Sequence, residues 1–239
     1  MQAYEQQVLK EALKWKRKMK RKSSLVQKAS KSVQTKINQK IPDQAHKVIT
    51  ESIRKMIEVS LTSSAYIYKV EVNPEWGFEK REQEIRERLQ KYRNTAAVEG
   101  AGTGAGGIFL GMADFPMLLS IKMKFLFDVG QLYGMNVNNY EERMYLLHLF
   151  MLAFSGDQSR ARVLHRVVHW EQEKEKWAEI DWKELQQEYR DTIDFVKMLQ
   201  LIPGFGAVVG AWANSRLLNQ LGETAMNGYR LRLLDGKNN

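Results

Sequence analysis

Residues 95–134 read TAAVEGAGTGAGGIFLGMADFPMLLSIKMKFLFDVGQLYG, and the fold turns on how this stretch is understood. Six glycines fall between Gly100 and Gly111, and an almost unbroken apolar run then continues to Val129. Gly100 and Gly104, Gly102 and Gly106, and Gly107 and Gly111 each stand four apart, with Ala97, Ala101 and Ala105 in the same rhythm. Four residues is just over one helical turn, so each set lines one face. Glycine inside a helix costs about 0.8–1 kcal/mol relative to alanine. Six of them need outside support, which close backbone contact with another helix supplies. The rival reading is a flexible or phosphate-cradling loop. A phosphate loop requires lysine directly after its last glycine, and none follows here before Lys122. The spacing predicts a packed, glycine-faced helix.

A second helix has its own start signal. Asp114 suits a cap, and Pro116 fits only the first turn, where its missing N–H costs nothing. The two arms, 96–113 and 115–133, then form a helical hairpin closed by Gly134. Residues 100–121 carry a single charge, Asp114, over about the 20 residues a membrane span needs. The glycines, Pro116 and the immediately following Lys122 and Lys124 favour a soluble core hairpin, with shallow membrane insertion as its rival.

The class is all-α. Only four prolines interrupt 239 residues, and the runs rich in Lys, Glu, Gln, Leu and Met carry helical rather than alternating spacing. A chain of this length can bury about 70–75% of the surface its unfolded form exposes, enough for one large domain. The absence of cysteine excludes disulfides and thiolate zinc sites. The leading residues lack the 7–15-residue apolar core of a signal peptide. Mean hydropathy is −0.48, which suits a soluble chain.

The formal charge of +9 is unevenly spread. Residues 1–40 hold twelve Lys and Arg against Glu5 and Glu11, a net of +10, whereas the other 199 residues come to −1. Three parts are therefore expected: a basic amphipathic helical arm (1–40), an all-α domain (41–234) and a polar tail (235–239). Residues 3–22 read as a helix with Tyr4, Val8, Ala12, Trp15 and Met19 along one side. Lys14, Lys16, Arg17, Lys18, Lys20, Arg21 and Lys22 crowd its second half. Anionic lipid rewards such a block by about 1 kcal/mol per charge near the surface. Trp15 and Met19 suit an interfacial helix. Nucleic acid would attract the same charges by counterion release, and a solvated, docked helix is the bland alternative.

Further helices follow. Asp43–Tyr68 turns Val48, Ile49, Ile53, Met56, Ile57, Ser60 and Leu61 inward, and Asn73, before Pro74, stands as a cap. The run Phe78–Asn94 is charged, with a thin stripe of Ile85, Leu89 and Tyr92. Asn139 and Glu142 have capping-box spacing at the start of a strongly apolar, central helix. Helices over 158–178 and 182–199 come next. LIPGFGAVVGAWANSRLL, residues 201–218, repeats the opening theme: Gly206 and Gly210 share a face, then Ala213-Asn214 and Leu-Leu follow, as Ala113-Asp114 and Leu-Leu do earlier. The shared pattern suggests an internal repeat whose glycine-faced helices pack together. Gly100, Gly102, Gly104, Gly106, Gly107, Gly111, Gly206 and Gly210 are thus the expected helix-packing or lipid-facing positions.

The glycine-rich run, the Ala113-Asp114-Phe115-Pro116 stop, Tyr133-Gly134 and the late IPGFGAVVGA segment (202–211) resemble the EcsC family over nearly the whole chain. That resemblance implies context more than chemistry. Family genes accompany those for an ABC transporter's ATPase and membrane subunit in Gram-positive bacteria, so a helical, cytoplasmic protein near a transporter is implied. It brings no catalytic residues.

No complete catalytic constellation stands out. His165 and His169 are four apart, a two-histidine half-site, but a zincin needs Glu where Arg166 stands. Metal binding there is the weaker alternative to two surface histidines, and a hydrolase built around them is the enzyme alternative. His148, inside an apolar helix, reads as a satisfied core histidine. Trp170 and Trp177, a heptad apart, read as core anchors, with an interface role second. Asp114 is explained as a cap, and neither a nucleophile elbow nor a cofactor motif is present. The expectation is a non-enzymatic accessory protein at the cytoplasmic membrane face, binding anionic lipid or ABC transporter subunits, with nucleic-acid binding third.

Overall fold

A computed structural model of the chain describes residues 1–20, 43–103, 115–178 and 210–235. Among these residues the fold is all-α: α1 (Ala3–Lys20), α2 (Asp43–Thr62), α3 (Phe78–Thr103), α4 (Phe115–Leu132), α5 (Tyr140–Phe154), α6 (Asp157–Val168), α7 (Trp170–Ala178) and α8 (Gly210–Leu234). No helix among them is long and apolar enough to cross a membrane.

The apolar pattern explains the layering. In α5 every residue from Glu142 to Phe154 is buried, and in α4 burial runs round most of the circumference. A helix apolar on all sides belongs in the interior, and these two form the centre. α2, α3 and α8 pack on α4; α2, α6, α7 and α8 pack on α5. α8 lies longest against α3 and also meets α1.

Four expected features take a different form. The charged helix and the start of the first glycine arm, as far as Thr103, are one element: α3 runs from Phe78 to Thr103 without a break, so Gly100 and Gly102 extend a charged helix rather than opening a separate one. Asn73 caps no helix; its Oδ1 accepts from the Glu75 amide at 2.9 Å in a turn round Pro74. Asn139 is the N-cap of α5 but makes no side-chain capping bond: its Oδ1 accepts from Asn136 Nδ2 at 3.1 Å, and Glu142, the other half of the expected box, is buried against Tyr229 and Arg232. The second helix also ends earlier than expected, at Thr62, where Arg143 of α5 donates to the carbonyls of Leu61 and Ser63, each at 3.0 Å. Those carbonyls are among the four a helix end leaves unpaired.

Gly134 closes α4 as its position implies. Its φ is +85°, its N–H donates to Gln131 O at 2.8 Å, and the Met135 N–H donates to Gly130 O at 3.0 Å. This is the Schellman arrangement, in which glycine takes the left-handed position without strain. Close helix approach occurs where no glycine run advertises it. A Cβ on Gly228 would meet Leu149 Cδ2 at 2.5 Å, and one on Gly222 would meet Leu89 Cδ2 at 2.9 Å, so α8 seats directly on α5 and α3. Gly104, Gly106, Gly107, Gly111 and Gly206, the cap Asp114 and the 182–199 helix lie outside the described residues, and Gly210 is the first residue of α8.

Candidate functional site

The basic helix is docked. Val8, Leu9, Ala12 and Trp15 of α1 are buried where it packs on α8, α6 and α3, and the Tyr4 hydroxyl donates to Glu82 Oε2 at 2.7 Å. Trp15, expected among the cations at a surface, is 7% exposed and belongs to the core. Met19 is partly buried against the same core. The apolar side of α1 is thus spent on the body of the protein, which corrects the picture of an interfacial helix free to insert. α1 is also part of the packed body, while the expected boundary at residue 40 lies outside the described residues, as do Arg21 and Lys22.

Docking sorts the cations. Lys10, Lys14, Arg17, Lys18 and Lys20 are exposed, and Lys16 lies half-buried with its Nζ 3.9 Å from Asp235. Lys10, Lys14 and Lys18 follow one another at steps of four, with Arg17 three from Lys14, which sets them along one side of α1 away from Val8 and Ala12, Lys18 lying at the edge nearer Trp15. They form an outward cationic ridge, and Lys10 is a member that the Lys14–Lys22 block did not suggest.

A second constellation, buried, joins five helices and the end of α4. Glu82 of α3 is fully buried and accepts from Arg230 Nε at 2.7 Å, Arg230 Nη2 at 2.6 Å, Tyr133 at 3.0 Å and Arg86 at 2.9 Å, besides Tyr4. Burial alone would raise its pKa, but the hydrogen bonds and charge of Arg230, with the two tyrosines, hold it below the ordinary carboxylate range. Glu142 of α5 accepts from Tyr229 in a short hydrogen bond and from Arg232 Nη1 at 2.7 Å. Arg232 also donates to Glu171 at 2.6 Å and lies over the Tyr145 ring, 4.4 Å from its centroid. Arg230 and Arg232 stand two apart on α8, so they leave opposite sides of the helix and serve different partners. Between the two clusters Tyr133 stacks on Tyr229 at 4.8 Å, and Tyr229 meets Tyr145 edge-on at 5.2 Å.

This network is poorly suited to proton transfer. Burial drives Tyr133 and Tyr229 far up, with Glu82 and Glu142 adding to the rise. The arginines are driven up as well, because their carboxylates outweigh burial. Glu82, Tyr133, Tyr229, Arg230 and Arg232 are thus each shifted away from neutral pH, which suits holding positions better than general acid–base work. A sequence signal for it existed. Glu82 lies on the same stripe as Ile85, Leu89 and Tyr92, and Glu142 falls in register with Leu146, Leu149 and Ala153; a carboxylate on an apolar stripe points to a buried cationic partner.

Asp128 of α4 is a third buried acid among the described residues. At 2% exposure it accepts from Arg88 at 2.8 Å and Tyr92 at 3.1 Å, while its Oδ1 has no partner. Burial raises its pKa against the pull of Arg88 and Tyr92.

His165 and His169 do come together, as their spacing implies, but face to face, with ring centroids 4.1 Å apart. His169 Nδ1 is engaged by the His165 carbonyl at 2.9 Å, and His165 Nδ1 lies 3.9 Å from Glu173. Among the described residues no group of three His, Cys, Asp or Glu is placed to hold a metal ion. His148 is the expected core histidine: fully buried, with Nδ1 2.8 Å from Met144 O and its ring against Trp170 and Trp177.

The EcsC protein family model matches residues 6–234. The chain is 49% identical over 230 residues to Protein EcsC of Bacillus subtilis (strain 168), covering 96% of each chain. It is 35% identical over 154 residues to Uncharacterized protein YdbA of the same organism, covering 62% of this chain and 57% of that one. No solved structure matches it. With a match that runs from the second turn of α1 to the end of α8 and so reaches all eight described helices, this chain belongs to the EcsC protein family.

Proposed function

We propose that this protein is a non-enzymatic accessory at the cytoplasmic face of the membrane, held to anionic lipid by the outer ridge of α1 and working beside an ABC transporter. The observation that carries the reading is the ridge itself: Lys10, Lys14, Arg17 and Lys18 are exposed along one side of a helix whose other side is anchored in the core. A docked helix presents its charges in a fixed array, so the chain spends little conformational entropy when the array meets a charged surface. Because Val8, Ala12 and Trp15 are occupied, attachment through α1 is electrostatic and without insertion, and salt screens it. The transporter association rests on the family resemblance, whose genes stand beside those of a transporter.

The test is vesicle flotation at low and high salt, with phosphatidylserine-containing and purely zwitterionic vesicles. The full chain is expected to float with the anionic vesicles at low salt alone. Changing Lys10, Lys14, Arg17 and Lys18 together to Gln is expected to abolish flotation while leaving the folded state intact by circular dichroism. Equal flotation of the variant would remove the ridge from the account. A gel shift with duplex DNA, lost in the same variant and without flotation of the parent, would favour nucleic acid instead.

A further inference from the structure

We propose that Lys122 is the proton-binding element of a pH-driven rearrangement of α4. Lys122 lies two turns into α4 and is wholly buried. Its Nζ donates to the Leu118 carbonyl, 3.3 Å away and one turn back on the same helix, and among the described residues it has no ion pair. Leu118, Leu119, Phe125 and Leu126, at three and four residues on either side of it, are at most 1% exposed. An ammonium has three N–H donors. One acceptor leaves two of them unmet in an apolar setting, which is costly for a charged group.

The buried charged groups on α4 and the surrounding helices are committed elsewhere. On α4 itself Lys124 lies over the Tyr68 ring and Asp128 is held by Arg88 and Tyr92 of α3. Glu82 of α3 takes Arg230 of α8, and Glu142 of α5 takes Arg232 and Tyr229 of α8. Arg143 of α5 caps α2, and His148 faces Met144 O. On α2, Arg54 pairs with Glu51 and Glu58 at the surface. Burial alone therefore acts on Lys122 and pushes its pKa down to about 7. When a proton arrives, the cheapest relief is for the N-terminal half of α4 to shift until the long side chain reaches water.

The sign follows from the folded amine being the weaker base. Unfolded lysine titrates near pH 10.4, so between about pH 7 and that value the unfolded chain holds the extra proton and stability rises with pH. Across this window the folded-to-unfolded ratio should grow about tenfold per pH unit.

Two measurements on the full chain test the proposal. The first is denaturant unfolding of the parent and of Lys122→Met from mildly acidic to alkaline pH. The parent should gain on the variant as pH rises, by up to about a thousandfold in the ratio; parallel profiles would overturn the assignment. The second needs no variant. The Lys122 side-chain carbon resonance should titrate near neutrality in the folded parent, and amide protection in α4, corrected for intrinsic exchange, should fall as it does so. A lysine titrating at its ordinary pH would overturn the proposal. So would α4 protection that stays constant while the lysine titrates near neutrality.

Discussion

Arg230 and Glu82 meet through two parallel hydrogen bonds, Nε to Oε1 at 2.7 Å and Nη2 to Oε2 at 2.6 Å, across 148 positions of sequence. The planar guanidinium fits both carboxylate oxygens at once, a geometry lysine lacks. Tyr4, Tyr133 and Arg86 take up the remaining acceptor capacity of Glu82. One carboxylate thereby ties α1, α3, the end of α4 and α8 together.

Breaking this pair on one side should be severe. Glu82→Leu leaves Arg230, itself 6% exposed, with only the more exposed Glu11 carboxylate, 3.4 Å from its Nη1, as a counter-charge, and a loss of up to about 3–5 kcal/mol is expected. The double change Glu82→Leu with Arg230→Met should lose less than the single one, since no orphan charge remains. Chemical denaturation of the three variants checks the ordering.

Acid should unfold the protein partly through the same residue. The folded-state pKa of Glu82 is lowered, so its stabilising contribution is fully present above the unfolded value, about 4.3, and is lost as pH falls through the folded value. The parent is expected to lose stability steeply over that acid range. In Glu82→Gln, already weakened at neutral pH, the corresponding limb should be shallower. Thermal melts from neutral to acid pH separate the two; identical slopes would show that other carboxylates govern the transition.

Gly228→Ala is expected to destabilise despite alanine's higher helix propensity. Its Cβ would come within 2.5 Å of Leu149 Cδ2 on α5, and overpacking of this kind costs about 1–3 kcal/mol. Adding Leu149→Val should recover part of the loss by withdrawing the clashing methyl, which a double-mutant cycle measures.

Trp15→Ala should act on stability and not on lipid attachment. The ring is buried, and emptying such a site costs about 3–5 kcal/mol. Under conditions where the variant remains folded, its flotation with anionic vesicles should equal that of the parent. A selective loss of flotation at unchanged stability would return Trp15 to the membrane surface.

The helical class, the central place of α5, the inward face of α2 and the close of α4 at Gly134 were legible because each is set by neighbours within a turn or two. The candidate site was legible in part. The Lys14–Lys22 block announced a cationic surface, but the block alone could not say which of its members face out. The buried clusters were missed because Glu82 sits inside the charged run EKREQEIRERLQKYRN, where one carboxylate looks like another until its stripe-mates are considered. Lys122 was noticed only as the charge ending an apolar stretch.

Local order along the chain, helix against loop and apolar face against polar face, was written in the residues themselves, since propensity and periodicity act over a few positions. Whether Trp15 serves the core or a membrane, which arginine meets which glutamate, and whether Lys122 reaches water were decided by packing between distant segments. Burial and charge pairing are properties of the three-dimensional neighbourhood, and a one-dimensional pattern contains them only once the partner helix is in place.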